Sequence, residues 1–203
     1  MATFLVDFPA NEMQRRLPDA LSVYVDAMRY PKGTESQRAT MWLEHTRRPG
    51  WKAVAAVQVA DEDIKDTAKP PTATELSNAP LVGIAYGYPG APGQWWQQQV
   101  VLGLQRSGLP QPAIDRLMTS YFELTELHIH PRAQGRGLGE GLARRLLAGR
   151  HEDNVLLSTP ETNGEANRAW RLYRRLGFAD VIRSYYFAGD PRAFAILGRA
   201  LPL

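Results

Sequence analysis

The chain has 203 residues, on the order of one domain, and its 44% hydrophobic and 22% charged content is close to globular averages, so wholesale disorder, collagen-like repeats and coiled coil are excluded. There is no cysteine, which removes disulfides, thiolate metal sites and any cysteine-linked covalent intermediate; no metal is expected. The formal net charge is +3 and the pI about 9.3, yet Lys32, Lys52, Lys65 and Lys69 are the only lysines among 24 cations, and the arginine pairs are scattered, which suits a phosphate-bearing ligand better than nucleic acid.

No apolar run approaches the roughly 18–20 residues that cross a bilayer, and the opening segment carries Asp7 where a signal peptide would be basic and then apolar, so a cytoplasmic, non-membrane protein is expected. Leu17, Leu21, Tyr24, Val25 and Met28 recur at helical spacing, and Thr34-Glu-Ser-Gln37 reads as a capping box opening a second helix to about His45. β-rich runs over 51–59 and 81–88 flank a stretch of acids, Lys, Pro, Thr and Ser that reads as a mobile hairpin loop over 60–80. Pro89-Gly-Ala-Pro-Gly93 breaks the second run. An apolar stripe of Trp95, Trp96, Val100, Val101 and Leu104 predicts a helix over 94–105, followed by a shorter one over 113–120.

Beyond a strand over 121–130 come a Gly-rich turn, a helix over 138–148, a strand over 154–159, a helix over 165–176, and strands near 181–187 and 194–197. Strands meander early and alternate with helices late. The expected class is therefore mixed α/β, a mostly antiparallel sheet with one parallel βαβ step.

The chemistry concentrates in Leu127-His-Ile-His-Pro-Arg-Ala-Gln-Gly-Arg-Gly-Leu-Gly-Glu-Gly-Leu142. Glycines between a strand and a helix let main-chain N–H groups converge on phosphate oxygens, and the helix N-terminus adds its dipole. The dinucleotide fingerprint G-x-G-x-x-G fails, because Glu140 or Leu142 stands where the third glycine belongs; the P-loop fails for want of a Lys-Ser/Thr pair. The pattern Q/R-x-x-G-x-G/A fits as Gln134-x-x-Gly137-x-Gly139. With Ala169-Trp-Arg-Leu-Tyr173-Arg-Arg-Leu-Gly177-Phe178 downstream, similar to A-x-x-L-Y-x-x-x-G-F, the sequence resembles the GNAT superfamily of acyl-CoA-dependent N-acetyltransferases over roughly 120–190.

The resemblance implies a single GNAT domain over 1–203, with 89–120 a helical insertion beside the acceptor, and acetyl-CoA as cosubstrate. Leu127, His128 and Ile129 would face pantetheine, and Gln134, Gly135, Arg136, Gly137, Leu138, Gly139 and Glu140 would surround the pyrophosphate. The family commonly has Asn seven residues before the Tyr. Ala166 holds that place here, so the cofactor contact passes to Asn167. Tyr173 would meet the coenzyme A sulfur. Full proton transfer from a phenol (pKa ~10) to a thiolate (~8.5) is uphill by about 2 kcal/mol, so a hydrogen bond developing into transfer is expected.

A lysine-like amine with pKa ~10.4 is almost wholly charged at pH 7, which makes a base useful. Glu123, eleven residues before Gln134, stands where protein-lysine acetyltransferases of the superfamily carry a base; Glu126 and a water chain are the alternatives, while His128 is expected to contribute backbone. With no cysteine, direct attack in a ternary complex is favoured over a ping-pong route. The acceptor is a protein lysine or a small-molecule amine, a non-catalytic acyl-CoA-binding regulator is the rival of another class, and a homodimer is compatible with the sequence. Tyr86, Tyr88, Trp95, Trp96, Tyr185 and Tyr186 are weaker candidates for an acceptor cleft.

Overall fold

The computed structural model describes residues 1–60, 71–162 and 167–203. Among them are seven strands, β1 (Ala2–Asp7), β2 (Lys52–Val59), β3 (Leu81–Pro89), β4 (Tyr121–Ile129), β5 (Asn154–Pro160), β6 (Ala179–Tyr185) and β7 (Phe194–Ala200), hydrogen-bonded in the order β1-β2-β3-β4-β5-β7-β6. β4 and β5 run parallel; β1–β2, β2–β3, β5–β7 and β6–β7 run antiparallel. The eight helices are α1 (Ala10–Arg15), α2 (Leu17–Met28), α3 (Ser36–His45), α4 (Ala73–Asn78), α5 (Trp95–Arg106), α6 (Gln111–Thr119), α7 (Leu138–Leu147) and α8 (Arg168–Arg175). The mixed class and the parallel β4–β5 step agree with the sequence reading.

The chain forms two compact units, Met1–Gly87 with Glu126–Leu146, and Tyr88–Thr125 with Leu147–Leu203. In the first, β2 is a run of alanine and valine interrupted by Gln58, buried from Ala53 to Val59. Leu5 pairs with Ala56 and Ala56 with Gly83, so three side-chain positions line up across the sheet on one face. That face takes α7: a Cβ added to Gly83 would lie 2.9 Å from Ile129 and 3.2 Å from Leu142, and one added to Gly141 would lie 2.8 Å from Leu5. Small residues here let the helix rest close to the strands. The opposite face is aromatic, with the rings of Tyr24 (α2), Trp42 (α3) and Tyr86 (β3) in edge contact at 5.8 and 5.1 Å.

In the second unit, Trp96, Val100 and Leu104 of α5 and Ile114 of α6 are buried with Tyr121, Leu156 and Ile196 from the strands. The N–H of Gly90 donates to the carbonyl of Tyr121, and a Cβ at Gly90 would fall 1.9 Å from the Tyr121 ring, so only glycine lets the chain cross there.

Three local expectations change. β1 is a strand where none was read. No capping box forms at Thr34: its hydroxyl donates to the Pro31 carbonyl at 2.7 Å, while its carbonyl, rather than its hydroxyl, accepts from Gln37, so the chain enters α3 through an i to i+3 turn. The capping box lies instead at Thr72 and Glu75, opening α4 within the stretch read as a hairpin loop; residues 61–70 of that stretch lie outside the described residues.

Candidate active site

β4 feeds the Gly-rich turn. In the first unit the N–H of His130 donates to Val82, a short 3-10 turn follows over Pro131–Ala133, and the Gln134 amide nitrogen reaches back 2.9 Å to the Ile129 carbonyl, tying the turn to the strand end. Gly135 and Gly137 then adopt φ of +81° and +76°, the left-handed region that costs L-residues about 1–2 kcal/mol. A Cβ on either would meet nothing within 4 Å, so it is the backbone conformation that asks for glycine.

Gly141 donates to the Gly137 carbonyl, the first bond of the α7 ladder, which leaves the amides of Leu138 and Gly139 in the turn where a helix has no carbonyl of its own to offer. Those main-chain donors and the positive end of the helix dipole suit a phosphate. The carboxylate of Glu140, which would compete with an anion, is drawn along the helix by Arg144 at 2.9 Å. Arg136 is exposed on the turn. These residues fit the pyrophosphate of a coenzyme.

Because Ile129 packs toward α7, strand alternation puts Leu127 on the same face and turns Glu126 and His128 to the aromatic face. There Nε2 of His128 lies 2.5 Å from Oε2 of Glu126, and the imidazole sits between Tyr24 (4.9 Å, edge-on) and Trp42 (6.5 Å, stacked). Tyr24 also lines a cavity of about 230 Å³ with Tyr30, Pro31, Thr34, Gln37 and Arg38. Sequence reasoning missed the His128–Glu126 pair; its signal was the Glu-x-His spacing, which places both side chains on one strand face.

Burial raises the Tyr24 phenol to about 12, against the cation of Arg38 and with the charge of Glu126. Burial, then the Arg48 charge, lowers His45 to about 4, and its Nδ1 lies 3.0 Å from the Tyr86 hydroxyl.

The second unit holds the other sequence candidates. Glu123 is 4% exposed, and its Oε1 receives the hydroxyls of Tyr88 at 3.5 Å and Thr125 at 3.4 Å. Tyr173 is buried on α8 with its ring 5.6 Å from Phe178. Gly177 (φ +82°) and the bond from Phe178 N–H to the Tyr173 carbonyl close the helix, so the Gly-Phe end of the motif is a C-cap. Asn167 is the N-cap: its Oδ1 accepts from Ala169 at 2.9 Å. Of the aromatic candidates, Trp95 and Tyr186 are 52% and 61% exposed, whereas Trp96 donates to Ser158 and Tyr185 to Gln99 inside the unit. Among the described residues no group of His, Asp and Glu is placed to hold a metal, and no helix is long and apolar enough to cross a membrane.

A family model described as FR47-like protein matches residues 101–188. Over its whole length the chain is 77% identical to the whole of the GCN5-like protein acetyltransferase Rv2170 of Mycobacterium tuberculosis. The chain belongs to the GNAT superfamily. Its fold is similar to that of YncA from Salmonella typhimurium, solved with acetyl-CoA (TM-score 0.60, 12% identity, 100% of this chain and 96% of that one). It is similar too to NAA60 of Arabidopsis thaliana in complex with a bisubstrate analogue (TM-score 0.57, 14% identity, 99% and 100%). At such identities the likeness is one of fold. GNAT enzymes use acetyl-CoA, and this chain is an acetyl-CoA-dependent acetyltransferase.

Proposed function

We propose that this GNAT enzyme moves an acetyl group from acetyl-CoA to a protein lysine by direct attack in a ternary complex. The observation that carries the cosubstrate is the left-handed pair Gly135 and Gly137 ahead of the first-turn amides of Leu138 and Gly139. The protein acceptor is supported by the relative described as a protein acetyltransferase.

In this reading the turn and Arg136 hold the pyrophosphate, and the main chain of Leu127, His128 and Ile129 aligns the pantetheine arm. Bound acetyl-CoA supplies an activated thioester carbonyl. A backbone N–H near His128 stabilises the oxyanion as the amine adds. Tyr173 hydrogen-bonds the departing thiolate and passes it a proton. Asn167, whose carbonyl oxygen already caps α8, has its amide nitrogen to offer the coenzyme. Glu123 is the carboxylate that the family resemblance offers as base.

The test is release of free thiol from acetyl-CoA, with mass spectrometry of the products, across lysine peptides and small polyamines. Turnover with peptides supports the reading, turnover confined to polyamines replaces the acceptor, and binding without turnover on any amine makes the protein an acyl-CoA-dependent regulator.

A further inference from the structure

The face of the first unit opposite α7 holds a proton-transfer arrangement that the coenzyme cradle leaves unused. His128 and Glu126 side chains, 11% and 15% exposed, meet at 2.5 Å. In the tautomer that donates from Nε2 to the carboxylate, the second ring nitrogen, Nδ1, is the acceptor. Tyr24 edge-on and Trp42 stacked fix the ring plane. A base held by a carboxylate on its far nitrogen is two-thirds of the triad arrangement.

The neighbours narrow the choice. Tyr24 on α2, raised to about 12, stays protonated and donates; His45 on α3, lowered to about 4 and engaged with Tyr86 of β3, is too weak a base; Arg38 on α3 is a cation. Tyr24 is at once a wall of the 230 Å³ cavity and a ring neighbour of His128, so the cavity and the imidazole share one side chain.

We propose that His128 is the general base for the acceptor amine, that Glu126 is its positioning residue, and that the acceptor side chain arrives through the cavity between α2 and α3. The inference rests on the acetyl-transfer reading above and moves the base from Glu123 to His128. The ammonium gives one proton to Nδ1, and the freed pair forms the N–C bond at the thioester carbonyl. The second proton leaves the tetrahedral nitrogen to water; the C–S bond breaks with its electron pair on sulfur, which takes up a proton. His128 returns its proton to solvent. The sum is amide, free thiol and one proton.

The experiment compares His128→Gln, Glu126→Gln and Glu123→Gln with the intact enzyme between pH 6.5 and 10, using acetyl-CoA and the blocked pentapeptide Ala-Ala-Lys-Ala-Ala. His128→Gln lowers kcat/KM for the peptide about 10²–10³-fold at pH 7, in the usual range for a lost general base. Acetyl-CoA affinity by calorimetry stays unchanged, and the deficit closes as pH approaches the lysine value of ~10.4. Glu126→Gln loses about tenfold, and Glu126→Asp recovers part of it.

The proposal is overturned by His128→Gln turning over normally, by a deficit constant across pH, or by Glu123→Gln alone giving the pH-dependent loss. Independently of folding in the variants or of the peptide chosen, ¹⁵N imidazole resonances of the intact enzyme should show His128 protonated on Nε2; protonation on Nδ1 alone overturns it as well. Failure of the intact enzyme to bind acetyl-CoA would instead remove the acetyl-transfer reading, and this proposal with it.

Discussion

Lowering the pH from 7 to 5 should weaken the first unit through His45. The ring is 8% exposed, its Nδ1 is taken by the Tyr86 hydroxyl, and burial reinforced by Arg48 lowers it from 6.5 to about 4. Between those values the unfolded chain binds a proton that the folded one refuses, so stability falls as pH falls. At ~1.4 kcal/mol per tenfold the loss is about 2 kcal/mol by pH 5 and on the order of 3 kcal/mol by pH 4. For a chain of this length that is roughly 4–8 °C in Tm at pH 5.

Asp7 and Glu12 act in a lower window. Hydrogen bonds from Arg145 and Arg15 hold them below the usual carboxylate range, so their contribution is complete above about 4.5 and goes only as pH drops through their folded values. Urea unfolding at pH 7, 6 and 5, followed by tryptophan fluorescence, isolates the term when the protein is compared with His45→Gln, which keeps a partner for Tyr86 but does not titrate. The intact protein should lose about 2 kcal/mol more than the variant across that range. Parallel pH dependence in the two would refute the assignment.

Tyr173→Phe should reduce kcat while leaving the Kd for acetyl-CoA unaltered, read by thiol release and calorimetry; equal turnover would remove the hydroxyl from the reaction. Gly137→Ala should fold but bind acetyl-CoA at least several-fold more weakly, because a methyl at φ +76° costs about 1–2 kcal/mol and distorts the turn. Gly90→Ala, with its Cβ 1.9 Å from Tyr121, should cost 1–3 kcal/mol or more in urea unfolding. Thr34→Val should cost at most its hydrogen bond to Pro31, about 0.5–1.5 kcal/mol in urea unfolding; a larger loss would give the hydroxyl a further partner.

The Gly-rich turn was readable because its glycines answer a backbone demand that holds wherever the rest of the chain lies: Gly135 and Gly137 are left-handed in the structure as an amide cradle requires. The Tyr-to-Phe motif was readable for a like reason, since Gly177 and Phe178 terminate α8 locally. β1 escaped notice because Thr3 to Val6 lacks the alternation of a half-buried strand, and only pairing with Gln58 to Ala55 makes it one. The two Thr-led capping patterns look equal in sequence. Which one caps was decided by Pro31, whose carbonyl takes the Thr34 hydroxyl, and that is visible only once the turn is built. The surroundings of His128 join Tyr24 of α2, Trp42 of α3 and Glu126 of β4, and no single segment carries their signature.

In the proposed cradle, the stripe of Ala56 and Gly83 beneath α7 ties the interior of the sheet to ligand affinity. Enlarging either residue would lift the helix and carry its leading amides off their bearing without touching a single coenzyme atom. A random screen for weakened acetyl-CoA capture should therefore return variants in the middle of β2 and β3 alongside those in the turn, and they would be misread as folding defects unless their melting curves were recorded too.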